Sequence, residues 1–400
     1  MKVLILNVDC KHSSTGKIVY DQFKYLQEQS HEAVVCYGRG SQIEESGIFK
    51  FSSNVEVIIH ALLTRLTGFT GNYSPFSTRK LIKIINQYQP DIVHIHEIHA
   101  YFVNLVPVIK YLKNKNIRTI WTFHCEFMYT GKCGHAHDCE KWKTECGCCP
   151  QVREYPTSYF LDFTKHMFRT KKKLLQEFQN LTIITPSNWL AKRVNQSFLR
   201  DKDIRVIYNG IDTQNIFYPR DFAELKSRYD IKDNKVVLAV APNMMSELKG
   251  GRWALELAKK FEGEKVTFIL VGVDKINFST GSNVIVLGRT KNQEELAQFY
   301  SMADVTLMLS MKETFSLVCA ESLSCGTPII GFEAGAPSEI IPEGYGIFVP
   351  YGDLDGLYHN IKSFFDNRSL LWSDEKCAEY GKNTFSKSNM LQSYLDLYKE

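Results

Sequence analysis

Two glutamates in the last third of the sequence have a spacing that could serve a binding site. Glu313 and Glu321 lie in the segment 311–341, which follows the apolar run 305–310. If a helix opens at Phe315, its first turn offers unpaired backbone N–H groups and the positive end of the helix dipole, which suit a phosphate. Glu321, later on that helix, could accept hydrogen bonds from hydroxyl groups. Taken alone, such a pair is more often part of a solvated helix face.

A second concentration of reactive side chains is the segment 131–150, GKCGHAHDCEKWKTECGCCP. Cys146 and Cys149 form a C-x2-C pair, the spacing that lets two thiolates bind one tetrahedral ion. Cys133 and Cys139 can complete a set of four ligands. The alternative ligands in the segment are Cys148, His135 and His137. The spacing favours a structural zinc ion, and it leaves open reduced thiols in a packed loop, a disulfide or another metal.

Two shorter motifs have an ordinary structural interpretation beside a chemical one. His94, His96 and His99 have the composition of a metal site, but histidines at the end of a strand are more typical of side chains that line a cleft. The segment 352–356, GDLDG, resembles a D-x-D metal pair, but an aspartate before an apolar helical run is a common N-cap. We therefore predict a cleft lining and a helix cap.

The basic run 165–178, KHMFRTKKKLLQEF, allows two interpretations. The first is a solvated helix face. The second is contact of Lys171, Lys172 and Lys173 with an anionic membrane surface, which would suit a lipid-linked acceptor.

Length and composition indicate a globular protein of two or three domains. The formal net charge of +4 is small for 400 residues and gives no argument for nucleic-acid binding. The first apolar run is too short for a signal peptide, and no stretch has the length of a membrane span, so we expect a reducing cytosolic location. In that setting the scattered cysteines are predicted to be buried small apolar residues. They are Cys10, Cys36, Cys125, Cys319, Cys325 and Cys377.

A repeating strand and helix pattern must position these groups. The apolar run 2–8 is followed by a segment in which apolar residues recur at helical spacing, and this alternation continues along the chain. The rhythm restarts at 235–241, after an irregular linker at 209–219. The sequence therefore predicts an α/β protein of two doubly wound domains with parallel sheets. Ligands are expected in a cleft between the carboxyl ends of the two sheets.

The segment that follows Glu313 resembles the donor-site pattern of the retaining glycosyltransferases of family 4, which have the GT-B fold. That pattern is E-x7-E, then CGxPVI and a glycine-rich turn, and it occurs here as Glu313, Glu321, the run 325–330 (CGTPII) and Gly335. The resemblance extends over nearly the whole chain and includes VIYNGIDTQNIFYP (206–219).

This resemblance implies two Rossmann-like domains that face a central cleft. Residues 1–205 would form the acceptor-side domain, residues 206–380 the nucleotide-sugar domain, and residues 381–400 a C-terminal helix that returns to the N-terminal domain. The cysteine segment, about 130–150, resembles an insertion found in a subgroup associated with colanic-acid and other exopolysaccharide assembly. The matching residues are Thr130, Gly131, Cys133, Cys139, Trp142, Cys146, Cys149 and Pro150.

The resemblance also implies roles for single residues in transfer of a sugar from a nucleotide-sugar donor. Glu321 would bind the ribose hydroxyls, and Glu313 the hydroxyls of the donor sugar. Lys249 would neutralise the diphosphate leaving group, which is electrostatic stabilisation of charge that grows in the transition state. His124 would face the reacting sugar. The remaining donor contacts would come from Asn243 and from the backbone at Phe315, Ser316, Leu317, Gly16 and Gly335.

The sequence departs from the family pattern at two places. Many members have an arginine on the strand before the lysine, whereas this chain has Asn243 in that region, so a second cation would have to come from Arg252 or Arg289. The subgroup usually has His-Asp where this chain has His124 and Cys125, and Glu126 is a possible substitute for the aspartate.

We expect a cytoplasmic, metal-independent retaining glycosyltransferase of hexosyltransferase type, at the inner face of the plasma membrane. Its donor would be a UDP- or GDP-sugar and its acceptor a glycan or lipid-linked oligosaccharide of an exopolysaccharide, capsule or O-antigen type pathway. The alternatives are a GT-B-fold sugar epimerase or phosphorylase and, from the cysteines alone, a zinc-dependent binding module. The sequence does not name the base, the sugar, the acceptor or the linkage.

Overall fold

A computed structural model of the chain describes residues 1–274 and 280–400. The chain forms two compact units. Unit 1 contains Met1–Ile207 together with Leu391–Glu400, and unit 2 contains Tyr208–Met390. Each unit is built on its own sheet, and every strand pairing in both sheets is parallel.

Unit 1 has a seven-stranded sheet in the order β3-β2-β1-β4-β5-β6-β7. The strands are β1 Lys2–Asn7, β2 Glu32–Tyr37, β3 Ile48–Lys50, β4 Ile92–Ile95, β5 Arg118–Thr122, β6 Leu181–Thr185 and β7 Asp203–Val206. The helices between them are α1 Ser14–Glu28, α2 Asn54–Thr67, α3 Pro75–Tyr88, α4 Leu105–Asn114, α5 Thr164–Gln176 and α6 Asn188–Asn195. The central strands are buried along their length because helices cover both faces of such a sheet.

Unit 2 has a six-stranded sheet in the order β10-β9-β8-β11-β12-β13. The strands are β8 Lys235–Val240, β9 Val266–Val271, β10 Val284–Leu287, β11 Val305–Met308, β12 Ile329–Phe332 and β13 Gly346–Val349. The helices are α7 Ala223–Arg228, α8 Gly251–Lys260, α9 Gln293–Met302, α10 Leu317–Ser324, α11 Pro337–Ile340, α12 Leu354–Asp366 and α13 Asp374–Thr384. The last helix, α14 Lys387–Lys399, begins in unit 2, and its residues from Leu391 onward belong to unit 1.

Both sheets follow the doubly wound strand order, in which the chain reverses its direction of winding beside the first strand. The reversal lies between β1 and β4 in unit 1 and between β8 and β11 in unit 2. Ligands of open α/β sheets bind just beyond the carboxyl ends of strands at such a switch point. The two predicted α/β domains are therefore confirmed, and each has one preferred place for a ligand.

The end of the chain differs from the prediction of a single helix at 381–400. Helix α13 ends at Thr384, and α14 begins at Lys387. Between them, Phe385 is fully buried and Ser386 forms a β-bridge to Ile211, which interrupts the helix. Unit 2 consequently extends to Met390, beyond the predicted boundary at 380.

The last ten residues pack in unit 1, as expected for the returning C-terminal helix. The Tyr398 hydroxyl lies 2.6 Å from Nδ1 of His94 on β4. Arg118, at the start of β5, donates hydrogen bonds to the carbonyl oxygens of Leu397 and Tyr398 at 2.6 and 2.8 Å. These contacts satisfy the carbonyl groups at the end of α14.

Candidate active site

The switch point of unit 2 holds two of the predicted catalytic residues. Lys249 lies in the connection from β8 to α8, and Glu313 lies in the connection from β11 to α10. Lys249 Nζ donates to Glu313 Oε1 at 2.6 Å, and the two side chains are 30% and 19% exposed. The pair lines a small cavity together with Pro242, Ser310 and Ser316. A charged and accessible pair at this position is suited to an anionic ligand.

The backbone around the pair is held tightly by hydrogen bonds. Glu313 N donates to the Ala334 carbonyl oxygen at 2.7 Å, and Ala336 N donates to the Glu313 carbonyl oxygen at 3.1 Å. Between them, Gly335 has φ 98°, a left-handed conformation that glycine adopts without a steric penalty. These bonds fix the main chain of Glu313 against the segment after β12.

The surroundings of Gly250, directly after Lys249, require a glycine at this position. Its φ is 72°, and an added Cβ would lie 2.4 Å from the Leu309 carbonyl oxygen. This close approach lets the turn before α8 pack against the end of β11, which places Lys249 beside Glu313.

Helix α10 begins two residues later than predicted. Ser316 is its N-cap, with the Ser316 hydroxyl accepting from Cys319 N at 3.4 Å, and Leu317 is the first helical residue. Ser316 has φ 84°, which is rare for a non-glycine residue and typical of functional sites. Phe315 does not open the helix; it is buried, with its ring 5.9 Å from that of Tyr208. The N–H groups at the start of α10 nevertheless follow Glu313 closely in the sequence.

Glu321 is on α10, as predicted, and has a fixed hydrogen-bond donor. The Tyr300 hydroxyl donates to Glu321 Oε2 at 2.9 Å. Burial and the neighbouring Glu321 carboxylate raise the pKa of Tyr300 well above its usual range, so Tyr300 remains a donor at neutral pH. The contact orients the Glu321 carboxylate.

The replacement for the missing family arginine is not found among the predicted candidates. Asn243 is exposed in the turn after β8, with φ 56°, and does not line the cavity beside Lys249. Arg252 is on α8, with its guanidinium 4.9 Å from the Trp253 ring centroid, and Arg289 is exposed beyond β10. Within the described residues, Lys249 is the one cation that lines this cavity.

Gly16 lies elsewhere than predicted. It belongs to the first turn of α1 rather than to the loop before it, and its N–H donates to the Ser13 hydroxyl at 3.0 Å. An added Cβ would lie 1.9 Å from Asp9 Oδ1. The sequence signal of a glycine after the first strand therefore marks close packing of α1 against the Asp9 side chain.

His124 lies two residues beyond the end of β5 in unit 1 and belongs to a histidine network. His124 Nε2 lies 2.9 Å from His96 Nδ1, and His96 Nε2 lies 3.0 Å from Gln22 Oε1. His94 Nε2 lies 2.8 Å from the Thr122 hydroxyl. Burial lowers the pKa of His124, with the Glu97 carboxylate acting in the opposite direction. Burial also lowers the pKa of His94 to about 3 and that of His96 well below its ordinary value.

Glu97 was missed by the sequence analysis, although it stands inside the histidine motif HIHEIH. His99 Nδ1 lies 2.6 Å from Glu97 Oε2, and the Cys125 thiol lies 3.7 Å from the same oxygen. Burial would raise the pKa of Glu97, but the charge and hydrogen bond of His99, with smaller effects of His124 and Cys125, lower it to about 2. Among the described residues, Glu97, His99 and Cys125 form the group whose three possible ligand atoms lie within 4.8 Å of one another.

Glu126 does not substitute for the aspartate of the subgroup. It is fully buried, and Arg193 Nε donates to its Oε1 at 2.6 Å. Its other oxygen accepts from Ala136 N at 2.6 Å. Glu126 thus anchors the cysteine segment, and Glu97 is the carboxylate beside His124 and Cys125.

Four of the five cysteines of the segment 131–150 line one cavity: Cys133, Cys139, Cys146 and Cys149. Cys148, also within the described residues, is exposed and absent from that lining. Elsewhere five of the six scattered cysteines are buried, and Cys125 is half-buried.

Two other predictions concerned charged side chains. Asp353 is the N-cap of α12, where its Oδ1 accepts from Gly356 N at 2.8 Å, so the helix-cap interpretation of GDLDG is confirmed. The basic run does not present three lysines to solvent. Lys171 is buried and donates to the Phe127 carbonyl oxygen at 2.5 Å, whereas Lys172 and Lys173 are exposed on α5.

Two Rossmann-type units, with an ion pair at the switch point of the second, define an α/β protein of the GT-B type. Comparison with known sequences gives the family. Residues 15–215 match the profile of Glycosyltransferase Family 4, and residues 221–386 match that of Glycosyl transferases group 1. The chain belongs to glycosyltransferase family 4.

Among curated relatives, the chain is similar to a protein of Escherichia coli (strain K12) named as colanic acid biosynthesis glycosyl transferase WcaC. The two are 24% identical over 420 residues, which cover 100% of both chains. The chain is also 26% identical over 232 residues to N-acetyl-alpha-D-glucosaminyl L-malate synthase of Bacillus anthracis, covering 55% of this chain and 60% of that one. The colanic-acid subgroup predicted from the cysteine segment agrees with the first of these relatives.

Solved structures confirm the fold. Sucrose-phosphate synthase from Thermosynechococcus elongatus superposes with a TM-score of 0.72 at 16% identity, over 100% of this chain and 98% of that one. Anabaena Alr3699/HepE in complex with UDP-glucose superposes with a TM-score of 0.68 at 15% identity, over 100% and 99%. None of the described helices is long and apolar enough to cross a bilayer.

Proposed function

We propose that the protein is a retaining glycosyltransferase that moves a hexose from a nucleotide-sugar donor to a glycan or lipid-linked oligosaccharide. The observation that carries this proposal is the Lys249–Glu313 pair beside the start of α10, at the switch point of unit 2. Lysine and helix N–H groups suit a diphosphate, and a carboxylate suits sugar hydroxyls and a cationic transition state.

In the proposed reaction, the bond between the anomeric carbon and the leaving phosphate oxygen breaks, and the electron pair stays on the phosphate. The acceptor oxygen forms its bond on the same face of the sugar, and its proton passes to the leaving phosphate oxygen. Lys249 and the N–H groups of Ser316 and Leu317 stabilise the charge that grows on the diphosphate. Glu313 stabilises the positive charge that develops at the anomeric carbon. These residues supply the positive charge that the leaving group requires, so we propose no catalytic metal.

The ion pair between Lys249 and Glu313 has a direct consequence for donor binding. Lys249 and Glu313 neutralise each other at 2.6 Å. When a diphosphate approaches, Lys249 exchanges the carboxylate for phosphate oxygens, and Glu313 is released to the donor sugar. Donor binding thus creates the arrangement of charges that transfer requires. Before the donor binds, the ion pair keeps Lys249 from being an unpaired cation.

The ribose is assigned to Glu321, because Tyr300 already orients its carboxylate from a buried position. The base is proposed to be uracil, with guanine as the alternative. Support for uracil comes from the fold neighbour HepE, whose structures hold UDP-glucose or UDP.

Thermal unfolding with added nucleotides tests the donor site. Selective binding stabilises the protein by about 2.7 kcal/mol when the ligand is present at 100 times its Kd. We expect UDP or GDP to raise the melting temperature, and Lys249→Met to abolish this rise. Lys265→Met is the matched control, since Lys265 is exposed in the same unit. The proposal fails if no nucleoside diphosphate shifts the wild-type melting temperature and Glu321→Ala transfers sugar like the wild type.

Product analysis separates glycosyl transfer from the GT-B alternatives. A transferase releases nucleoside diphosphate in step with a longer acceptor. An epimerase changes the configuration of the sugar without an acceptor, and a phosphorylase releases a sugar phosphate. Anomeric analysis of the new linkage decides whether the configuration of the donor is retained.

A lipid-linked acceptor would bring the enzyme to the inner surface of the plasma membrane, and unit 1 has a surface that suits it. Helix α2 has an unusual polarity: its two buried residues, His60 and Thr64, are polar, whereas most of its apolar residues are exposed. We define the apolar face as Val55, Ile58, Ile59, Leu62, Leu66, Phe76, Tyr159, Phe160 and Leu161, which are 42–74% exposed. Tyr159 N donates to the Arg65 carbonyl oxygen at 2.9 Å, so the segment 159–161 borders α2. Exposed apolar patches of this kind mark interaction sites.

The charges around the apolar face favour an anionic bilayer. The segment 50–83 contains five basic residues and one acidic residue. The acidic one, Glu56, is occupied in capping α3, where it accepts from Phe76 N and Ser77 N at 3.0 and 2.8 Å. Lysines and arginines near a membrane surface contribute about 1 kcal/mol each. This face, rather than Lys171–Lys173, is the proposed membrane contact.

Vesicle co-sedimentation tests this contact. We expect the protein to bind vesicles containing phosphatidylglycerol more strongly than phosphatidylcholine vesicles, and Ile58→Glu with Leu62→Glu to reduce binding at least tenfold. Leu370→Glu, an exposed apolar position in unit 2, is the control. Equal binding by both variants contradicts the membrane contact. A dimer that dissociates on Ile58→Glu would assign the face to a second copy instead.

A further inference from the structure

The segment 123–163 of unit 1 is long and irregular, yet it is packed into the core. Its one regular element is the 3₁₀ turn Lys141–Lys143. Tyr129, Ala136 and Trp142 are nonetheless buried in the hydrophobic core of the unit. Structureless segments longer than about 15 residues are uncommon in compact domains. Something besides secondary structure must hold this one in place.

The cavity at the centre of this segment has a volume of about 10 Å³, which is room for one water molecule or one ion. Cys133, Cys139, Cys146 and Cys149 all line it. The lining among the described residues includes neither His135, His137 nor Cys148. Of the ligand sets allowed by the sequence, the four-cysteine set is the one that shares a cavity.

Two of the four sulfur atoms have hydrogen-bond partners inside the segment. Gly131 N donates to Cys146 Sγ at 3.2 Å. The Cys133 thiol donates to Gln151 Oε1 at 3.7 Å. Backbone N–H groups that point at sulfur orient metal ligands and stabilise their negative charge.

Two buried lysines contact the irregular segment, and one of them, Lys132, lines the cavity. Lys132 is 1% exposed and donates to the carbonyl oxygens of Val152 and Pro156, both at 2.5 Å. Lys171 is 5% exposed, and its Nζ lies 4.0 Å from the centroid of the Phe127 ring.

Lys132 lines the cavity and directly precedes Cys133 in the chain. Lys171 lies on α5 and donates to the carbonyl oxygen of Phe127, a residue of the same irregular segment. A buried ammonium group is costly unless it is paired with negative charge. Neutral thiols provide none, whereas four thiolates around a divalent ion carry a net charge of −2.

We propose that Cys133, Cys139, Cys146 and Cys149 bind one structural Zn²⁺ ion as thiolates, and that Lys132 and Lys171 balance the charge of the centre. The four thiols release their protons to solvent on binding, and no oxidation or reduction takes place. Binding draws the four sulfur atoms to about 2.3 Å from the ion. The ion links distant parts of the segment 123–163 and holds the segment against the sheet of unit 1. This role is independent of the donor site in unit 2.

Metal analysis of the full-length protein, purified without chelators, tests the site. We expect about one equivalent of zinc per chain in the wild type and in Cys148→Ser, and a loss of at least tenfold in Cys146→Ser. Cys148 is the matched control because it lies in the same segment outside the cavity. Less than a tenth of an equivalent in the wild type, or an equal loss in both variants, overturns the proposal. Iron in place of zinc overturns the identity of the ion.

Lysine variants test the charge balance. We expect Lys171→Met to weaken zinc binding about 10- to 100-fold in competition with a chelator, as for other groups that support metal ligands. Lys172→Met, the exposed neighbour, should leave the affinity unchanged.

Cobalt titration of the stripped wild-type protein covers the case in which Lys171→Met fails to fold. A thiolate-to-cobalt absorption band of intensity matching four sulfur ligands supports the site, and absence of the band contradicts it. Equal affinities of both lysine variants exclude the counter-charge role.

Discussion

Units 1 and 2 share the doubly wound strand order, but the side chains at their switch points differ. Unit 2 has a charged pair there, and unit 1 has hydrogen-bonded histidines. In unit 2, the ends of β8 and β11 lead to the half-exposed charged pair Lys249–Glu313. In unit 1, the ends of β4 and β5 lead to the buried His96 and the half-buried His124, whose ring nitrogens lie 2.9 Å apart. Ten of the eleven histidines of the chain lie in unit 1, and His359 is the one in unit 2.

The difference teaches that one fold can prepare two kinds of binding surface. A diphosphate is charged, and it needs a cation that is still accessible to solvent. Sugar hydroxyls are neutral, and neutral imidazoles held in a hydrogen-bonded network can meet them without a change of charge. Under the proposed function, unit 2 would bind the charged donor and unit 1 the acceptor.

The largest effect is expected from breaking the buried ion pair of unit 1. Arg193→Met leaves the fully buried Glu126 carboxylate without its partner and should destabilise unit 1 by about 3–5 kcal/mol. Urea unfolding measures this change, and the nucleotide-dependent transition identifies unit 2. Lys192→Met, an exposed neighbour, is the control. A loss below 1 kcal/mol would show that solvent reaches Glu126.

The next effect concerns the charged pair of unit 2. Glu313→Gln should reduce turnover about 10²- to 10³-fold, since a charge that stabilises the transition state is removed. The affinity for UDP or GDP should stay equal or increase, because Lys249 loses a competitor for phosphate. Glu333→Gln is the control, and steady-state kinetics with nucleotide titration gives both quantities. Weaker nucleotide binding by Glu313→Gln would contradict the exchange of partners.

Acid should change the stability of the two units to different extents. Burial lowers the pKa of His94 to about 3 in the folded protein, whereas unfolded chains have about 6.5. Below pH 6.5 the unfolded state therefore binds a proton that the folded state does not, so stability falls by about 1.4 kcal/mol per pH unit.

Unfolding between pH 6.5 and 4.5 measures this slope, which His94→Gln should reduce by about that amount. His359→Gln, in unit 2, should leave the slope of the unit 1 transition unchanged. An unaltered slope in His94→Gln would mean that His94 is charged in the folded state.

The smallest effect is expected at the apolar face. Ile58→Glu and Leu62→Glu should change the free energy of unfolding by less than about 0.5 kcal/mol, because both side chains are exposed. Thermal unfolding without lipid measures it, with Ile109→Ala in the buried core as the comparison, at about 2–5 kcal/mol. A large loss from Ile58→Glu would mean that the face packs against protein.

The sequence was sufficient for the repeating features. Apolar runs and helical spacing predicted both sheets, since such patterns depend on local periodicity. The E-x7-E motif predicted that Glu321 lies on a helix. Single-residue geometry was less accessible: the start of α10 depends on the φ of Ser316, and the burial of Lys171 depends on the segment 123–163 folding over α5.

Sequence alone determined the class of the protein, because a family motif and a strand rhythm are written in consecutive residues. Only the tertiary structure decided which side chains meet. The Lys249–Glu313 pair joins residues from two different connections, the Glu97–His99–Cys125 group joins the connections that follow β4 and β5, and four cysteines share one cavity with the buried Lys132. These contacts arise because parallel strands bring distant segments to one edge of a sheet. A pattern of neighbouring residues does not predict which segments meet at that edge.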